Sequence, residues 1–291
     1  MHISVLLQET VRSLALTGDS TVIDATLGAG GHANEILKQL GPKGTLVAID
    51  ADPTALASVK LVPSKAKIVL INDNFRNIKQ LVLDNSLEPD AIIADLGWRT
   101  DQFESGGKGF SFNSDDPLLM TFGDPETHLF TADDVVNEWA EESLRDIISG
   151  YGEERFAGRI AKAIVRERAE GRITTARQLA DIVASSVPKF GYTKIHPATR
   201  TFQAIRIAVN DELGALKQFL TDGFECLRPE GRLAVISFHS LEDRIVKRFF
   251  NEMVKEGRAL KLNKKPIIAK EDELERNPRA RSAKLRVLEK N

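Results

Sequence analysis

The chain has 291 residues, of which 42% are hydrophobic and 28% charged, and its formal net charge is −2. These values are those of a soluble globular protein with one large or two ordinary domains. The one cysteine, Cys226, excludes an internal disulfide and a cysteine-based metal cluster, and no run approaches the roughly 18 apolar residues of a membrane span. The N-terminus lacks the basic region of a signal peptide. We therefore expect a cytoplasmic protein with no membrane contact and no metal site.

Basic residues are concentrated in two stretches. Residues 155–177 carry seven Lys or Arg against two Asp or Glu, and residues 244–291 carry 15 against 7. Solvated helix faces account for many such stretches. Basic segments inside a near-neutral protein also suit an anionic partner, and nucleic acid is one.

The first strand–turn–helix unit has a nucleotide-binding pattern. Residues 22–25 predict a short strand, Gly28, Gly30 and Gly31 follow it, and residues 33–40 have the spacing of a helix. Glycines allow a ligand to approach the backbone closely, and a helix N-terminus offers unpaired N–H groups. A tight turn without a ligand is the structural alternative.

The glycine spacing leaves two cofactor classes open, NAD and S-adenosylmethionine. A second strand over 45–49 ends in Asp50, about 20 residues past the glycines, where an acid usually binds a ribose diol. Asp24 ends the first strand. Its carboxylate favours S-adenosylmethionine, because it would attract the ammonium group of that cofactor and repel the pyrophosphate of NAD.

Strands and helices continue to alternate up to residue 95. Asp52 and Pro53 begin a second helix, residues 67–71 predict the third strand, and residues 89–95 predict the fourth. Alternation of this kind, with apolar strands, predicts a parallel sheet covered by helices on both faces.

After the fourth strand the pattern becomes helical. Thr131 and Thr174 are expected N-caps, and residues 153–170 predict a long basic helix that Gly171 ends. We take this part as a helical insertion. The predicted domains are 1–102 and 198–291 for the two parts of the α/β core and 103–197 for the insertion.

The α/β pattern then resumes. Residues 198–227 predict a helix with a bend near Asn210 or Gly214, and a fifth strand and another helix follow it. Two late segments predict a terminal hairpin, 259–262 and 283–288. An antiparallel pair that closes a parallel sheet fits a methyltransferase fold better than a dehydrogenase.

Candidate catalytic residues stand at the ends of predicted strands, where open α/β sheets bind ligands. Methylation of an exocyclic amine needs an acceptor near its N–H, and Asp95 is at the expected place. Methylation of cytosine carbon 5 needs a cysteine, but Cys226 lies late in a helix. His239 is a second catalytic candidate, with a purely structural role in its loop as the alternative. Phe75 either lies against an adenine face or belongs to the core.

Arginines provide candidate RNA contacts. Arg200 and Arg206 lie on the helix that follows the insertion, and residues 277–284 form an irregular basic run. Binding of RNA phosphates is one interpretation, and pairing with acids of the same chain is the other. The candidate RNA contacts are Trp98, Arg159, His196, Arg200, Arg206, Arg279 and Arg281.

Long stretches of mixed polarity resemble one known family. They include D-A-T-L-G-A-G-G-H, A-I-D-A-D-P, G-F-S-F, Y-G-E-E-R, H-P-A-T-R-T-F-Q-A-I-R-I-A-V-N-D-E-L, R-L-A-V-I-S-F-H-S-L-E-D-R and N-P-R-A-R-S-A-K-L-R. In this order they resemble the bacterial methyltransferases that use S-adenosylmethionine to modify the N4 amine of a cytidine, cytidine-1402, in the decoding region of 16S rRNA (the RsmH or MraW family).

The resemblance implies a fold, a cofactor and a partner. It implies a Rossmann-like class I S-adenosylmethionine-dependent methyltransferase with an inserted all-helical domain that helps hold 16S rRNA in the small ribosomal subunit. The oligomeric state stays open, a homodimer included. The cofactor contacts that the resemblance implies are Gly30, Gly31, His32, Asp50, Phe75, Asp95 and Gln102, to which the strand–turn pattern adds Asp24 and Gly28.

Two stretches depart from the family pattern. Trp98-Arg99-Thr100 stands where the family has Val-Ser-Ser, and P-L-L-M-T-F at 117–122 replaces P-L-D-M-R-M, with Leu119 and Thr121 in place of an acid and an arginine. We expect cofactor binding to survive, since Asp95 and Gln102 keep their spacing. Stacking of Trp98 on the target cytosine is a hypothesis. A catalytically silent RNA-binding factor is the alternative function that these departures leave open.

Overall fold

The structure, a computed structural model, describes residues 3–96, 107–188 and 196–291. Within these residues the chain forms two compact units, one from the described parts of 1–99 and 213–291 and one from those of 100–212. The sequence predicts that the inserted segment ends at residue 197. In the structure residues 198–212 belong to the helical unit. Every helix in the described residues is too short or too polar to cross a membrane.

In the described residues, the first unit contains a seven-stranded sheet. The strands are β1 (Thr21–Asp24), β2 (Thr45–Asp50), β3 (Lys67–Asn72), β4 (Ala91–Asp95), β5 (Arg232–Ser237), β6 (Ala259–Lys261) and β7 (Lys284–Lys290). Their spatial order is β3-β2-β1-β4-β5-β7-β6, with β1 to β5 parallel and β7 antiparallel to both β5 and β6. The predicted hairpin is therefore present, and β7 lies between β5 and β6. The strand order reverses at β1 and β4, the kind of switch point at which open α/β sheets bind ligands.

The helices carry labels in chain order. They are α1 (Leu7–Ser13), α2 (Gly31–Leu37), α3 (Pro53–Ser58), α4 (Ile78–Asp84), α5 (Ala132–Glu138), α6 (Glu141–Gly150), α7 (Ala157–Glu170), α8 (Ala176–Ser186), α9 (Thr199–Asn210), α10 (Glu212–Cys226), α11 (Ser240–Lys255) and α12 (Glu271–Arg276). Helices α5 to α9 form the second unit, in which α9 packs against α5 and α6.

Alternating strand residues supply two apolar cores, one on each face of the sheet. Val22 and Ile93 belong to the core that includes residues of α1 and α2, whereas their neighbours Ile23 and Ile92 belong to the core that includes residues of α4, α10 and α11. The two-residue period of a strand sends successive side chains to opposite faces. Because both faces of the sheet are covered, both sets of side chains are apolar, which explains the nearly continuous apolar strands in the sequence.

Of the two helix caps predicted in the helical unit, one is confirmed and one needs correction. Thr131 forms the expected capping box with Asp134, but the next cap is Thr175 and not Thr174. The Thr175 hydroxyl accepts the Gln178 N–H at 3.2 Å, while the Gln178 side chain accepts the Thr175 N–H, also at 3.2 Å. Only Thr175 stands three residues before a side chain that can return the bond.

Two predicted helices are shorter than expected. The basic helix begins at Ala157 and not at residue 153, because Glu153 adopts φ 49° in a turn. The helix predicted over 198–227 is divided at Asp211, whose φ of 46° lies in the left-handed region. Aspartate tolerates this conformation better than most side chains, so the chain changes direction here without a glycine.

Candidate active site

Three carboxylates end three neighbouring strands at one edge of the sheet. Asp24 is the last residue of β1, Asp50 of β2 and Asp95 of β4, and β1 pairs with both of the other strands. The carboxyl ends of parallel strands meet at the same edge, as the sequence analysis expects. The glycine turn after β1 lies beside them.

The glycine turn depends on backbone conformations that favour glycine. Gly28 and Gly30 have φ values of 53° and 77°, in the left-handed region. The Gly28 N–H donates to Asp50 Oδ2 at 2.8 Å, and the Gly30 N–H donates to the Leu27 carbonyl at 2.8 Å. Gly31 is required for another reason, because a Cβ there would lie 1.8 Å from Ser4 Oγ.

Asp50 holds this turn in place. Besides the Gly28 bond from one carboxylate oxygen, its Oδ1 accepts the Asp52 N–H at 2.9 Å. These two bonds fix the Asp50 side chain beside the glycine turn. The predicted contact of Asp50 with ribose hydroxyls stays a prediction.

Asp24 is a buried carboxyl group with an incomplete set of partners. Its side chain is buried, Oδ1 accepts the Thr26 N–H at 3.2 Å, and Oδ2 has no hydrogen-bond partner within the described residues. Burial raises the pKa of Asp24 to about 6, an effect that the nearby His32 partly opposes. A buried acceptor without a donor is costly, which makes this oxygen a candidate ligand contact.

His32 links the glycine turn to Asp95. Its Nε2 lies 3.2 Å from the Val5 carbonyl, and its Nδ1 lies 3.6 Å from Asp95 Oδ2. A carbonyl only accepts, so Nε2 carries the proton, and Nδ1 of the neutral ring faces the carboxylate. Burial lowers the pKa of His32 and favours that neutral form. The Asp95 N–H donates to Thr26 Oγ1 at 2.6 Å.

Thr26 and two residues near the C-terminus are contributors that the sequence analysis missed. Thr26 binds both Asp24 and Asp95. Two residues more than 260 positions away in the sequence bind the segment before α1. Glu273 Oε1 accepts the Leu6 N–H at 2.7 Å, and the Asn277 side chain donates to the Ile3 carbonyl at 3.0 Å. No local sequence pattern identifies partners so far apart.

Phe75 is half-buried next to the strand ends. Its ring meets the Phe219 ring edge-on, with 5.2 Å between the centroids, and it packs against the apolar core that contains α10 residues. This contact fits the core interpretation of Phe75. Its contact with an adenine face stays a prediction.

His239 is the N-cap of α11. Its Nδ1 accepts the Glu242 N–H at 3.4 Å, and Glu242 Oε2 accepts the Phe238 and His239 N–H groups at 2.8 and 3.2 Å. The spacing H-S-L-E is that of a capping box with histidine in place of serine or threonine. This pattern was available in the sequence, and it gives His239 a structural role. The catalytic role of His239 stays a prediction.

The candidate RNA contacts differ in their surroundings. Arg206 is buried and forms a bidentate pair with Glu212, at 2.6 and 2.8 Å, which is the intramolecular pairing that the sequence left open. The other described candidates are exposed: Arg159, His196 and Arg200 in the helical unit, and Arg279 and Arg281 in the short turn of 3₁₀-helix Pro278–Ser282. Trp98 and Gln102 lie outside the described residues.

The second departure from the family pattern lies inside the helical unit. Thr121 is buried, and Leu119 is half-buried. Asn210 of α9 holds this stretch, because its side chain donates to the Met120 carbonyl and accepts the Phe122 N–H, each at 2.7 Å. The departing residues are therefore part of the packing of this unit.

Comparison with known proteins gives a match over the entire chain. The model of the MraW methylase family matches residues 1–291. A protein named ribosomal RNA small subunit methyltransferase H from Acetivibrio thermocellus is 47% identical over 310 residues, which cover 99% of this chain and 98% of that protein. Its namesake in Acidobacterium capsulatum is 45% identical over 298 residues, with coverage of 99% and 98%. The crystal structure of an rRNA methylase from Streptococcus thermophilus is 14% identical, with a TM-score of 0.41 and coverage of 100% and 99%.

Proposed function

Because the chain belongs to the MraW methylase family, it is an S-adenosylmethionine-dependent methyltransferase, and we propose that it methylates the N4 amine of a cytidine in the decoding region of 16S rRNA. The α/β fold predicted from the sequence is confirmed, and the NAD-dependent alternative is excluded by the family. The proposed setting is the small ribosomal subunit in the cytoplasm.

The residues at the strand ends fit S-adenosylmethionine. The observation that carries the fit is the buried Asp24 Oδ2, for which the described part of the chain provides no donor and which suits the ammonium group of the cofactor. Gly28 and Gly30 have positive φ values and no Cβ, so the backbone of the turn beside Asp24 is open to a ligand. We propose the following residues as the cofactor contacts: Asp24, Gly28, Gly30, Gly31, His32, Asp50, Phe75, Asp95 and Gln102.

When bound, the cofactor supplies an electrophilic methyl group on a sulfonium. The task of the protein is then to orient the amine, whose lone pair is delocalised into the cytosine ring. We assign Asp95 as the acceptor of a hydrogen bond from the amine N–H, which favours localisation of the lone pair on nitrogen. Its position supports this role, because the Asp95 N–H donates to Thr26 Oγ1 at 2.6 Å, which fixes the backbone of Asp95 at the end of β4. Most of the rate acceleration would come from positioning.

Exposed cations support an RNA substrate. We propose that Arg159 and Arg200 of the helical unit, and Arg279 and Arg281 of the other unit, contact RNA phosphates. Arg206 is a weaker candidate because Glu212 already neutralises it inside the unit. Trp98 remains proposed as a stacking partner of the target base.

The decisive experiment uses small ribosomal subunits from cells that lack the endogenous enzyme. Purified protein and labelled S-adenosylmethionine are incubated with these subunits, and the modified nucleoside is identified by mass spectrometry. We expect N4-methylcytidine in the decoding region. A different methylated nucleoside would refute the proposed target, and cofactor binding without any transfer would point to the silent-factor alternative.

Variants then separate the two catalytic candidates. Asp95→Asn should lower kcat at least 100-fold, because an amide is a poorer acceptor than a carboxylate. His239→Asn is the matched variant, since asparagine keeps the N-cap but removes the imidazole. If His239 is only a cap, its variant retains near-normal kcat. A large loss of kcat in folded His239→Asn would instead support its predicted catalytic role.

A further inference from the structure

An aromatic pair lies at the start of α9 in the helical unit. The rings of His196 and Phe112 are stacked with 4.4 Å between the centroids and an interplanar angle of 7°. Phe202 meets the Phe112 ring edge-on, with the centroids 6.0 Å apart and the planes at 90°. Phe202 is buried and Phe112 half-buried, so the stack is anchored on one side in the apolar interior of this unit.

The outer member of the stack is held in one orientation and is exposed. The Ala198 N–H donates to His196 Nδ1 at 3.2 Å, which fixes the ring and leaves the proton of the neutral imidazole on Nε2. His196 is exposed, and because Phe112 covers one face of its ring, that exposure comes from the rest of the residue.

Cationic side chains belong to the same unit as this stack. Arg200 lies four residues after His196 in the chain, and its guanidinium donates to the Glu153 carbonyl at 3.1 Å. The segment that follows Glu153 carries two further arginines: the guanidinium carbons of Arg155 and Arg159 lie 4.6 and 5.7 Å from the centre of the Phe156 ring. Aromatic rings between basic side chains are typical of surfaces that bind single-stranded nucleic acid.

We propose that the outer face of the His196 ring is a stacking platform for one unpaired nucleobase of the RNA substrate. This inference rests on the proposed function and deepens it, because it assigns His196 a contact with a base and not with a phosphate. An unstacked base presents a flat π-face to an aromatic ring whatever its sequence. The ring is already oriented by Ala198 and Phe112, so little conformational entropy is lost on binding.

The test measures binding of small ribosomal subunits at several salt concentrations. His196→Ala removes the ring, His196→Leu keeps apolar packing on Phe112 without a π-face, and His196→Phe restores an aromatic face. His128→Ala, at a half-buried histidine of the same unit, is the control. Stacking of one base is worth about 10-fold or more in affinity, so Ala and Leu should weaken binding by that factor. Phe should bind within about threefold of the wild type.

Salt dependence separates stacking from phosphate contact. The slope of log K against log salt should be unchanged in the His196 variants, whereas Arg200→Gln should reduce it by about one. The inference is overturned if His196→Ala binds as the wild type does, if His196→Phe binds as weakly as His196→Leu, or if the slope falls in His196→Ala. Binding by wild-type protein without methylation would refute the proposed function but leave this comparison valid. Absence of binding by the wild type would overturn both.

Discussion

Replacement of Gly31 by alanine tests how the glycine turn is packed. Gly31 is the first residue of α2, and a Cβ there would lie 1.8 Å from Ser4 Oγ and 2.9 Å from Ser4 Cβ. Rotation of the Ser4 hydroxyl can relieve the first contact but not the second. Gly31→Ala must therefore push the segment that contains Ser4 and Val5 away from α2.

The cost of this displacement follows from two opposing terms. Overpacking of one methyl group typically destabilises a protein by about 1–3 kcal/mol. Alanine recovers at most about 1 kcal/mol of helix propensity, and less at the first position of a helix. We expect Gly31→Ala to lower the free energy of unfolding by about 1–2 kcal/mol. In a Ser4→Gly background both short contacts are absent, and the same substitution should be neutral or slightly stabilising.

Urea unfolding of the wild type, both single variants and the double variant gives the coupling energy directly. Affinity for S-adenosylmethionine, measured by calorimetry, is a second readout, because the Val5 carbonyl is the partner of His32 Nε2. Affinity should fall in Gly31→Ala and recover in Ser4→Gly/Gly31→Ala. An equal loss of stability from Gly31→Ala in both backgrounds would show that the clash with Ser4 plays no part.

Three further predictions concern titratable and charged side chains. The pKa of Asp24, usually 3.8, is about 6 in the folded protein, so between these values the folded state retains a proton that the unfolded chain releases. The free energy of unfolding should therefore fall by about 3 kcal/mol as the pH rises through this window. Asp24→Asn should lack this pH-dependent component when urea unfolding is measured at pH 4 and pH 7. Arg206→Met should destabilise the protein by about 3 kcal/mol, because it removes the guanidinium that pairs with the Glu212 carboxylate, and Arg206→Met/Glu212→Leu should recover most of this in thermal unfolding. A double variant no more stable than the single one would contradict the pairing. Lys290 donates to three carbonyls in the last turn of α10 and just beyond it, so Lys290→Met should cost about 1–2 kcal/mol, whereas an unchanged urea midpoint would show that these bonds contribute nothing.

Local sequence patterns predicted helix ends well where the end depends only on residues within one helical turn. The capping box at Thr131 and the proline after Asp52 lie where the sequence indicates, because a cap needs only residues within one turn. The end of the basic helix at Gly171 follows the same rule. The bend predicted near Asn210 or Gly214 is present at Asp211, next to Asn210.

The candidate site was predictable only in part. The end of each strand shows in the sequence, so the shared edge of Asp24, Asp50 and Asp95 could be expected. The spacing of His239 to Glu242 indicates a capping box, but serine or threonine is the usual N-cap residue of this motif, and here the N-cap is histidine. Which acid each arginine meets was not visible, because Arg206 and the other arginines look alike in a linear sequence.

The order and type of the elements, the glycine turn and the family can be read from the amino-acid sequence, because they follow from periodicity, local backbone preference and long runs of matching residues. Which groups are buried and paired follows only from the packed fold. Within the described residues, Asp24 Oδ2 is buried without a partner, and Glu273 binds the segment before α1, because distant parts of the chain pack together. Whether a polar group is buried and paired depends on how helices and strands pack against each other. The free-energy cost of burying that group therefore depends on the packing more than on its neighbours in sequence.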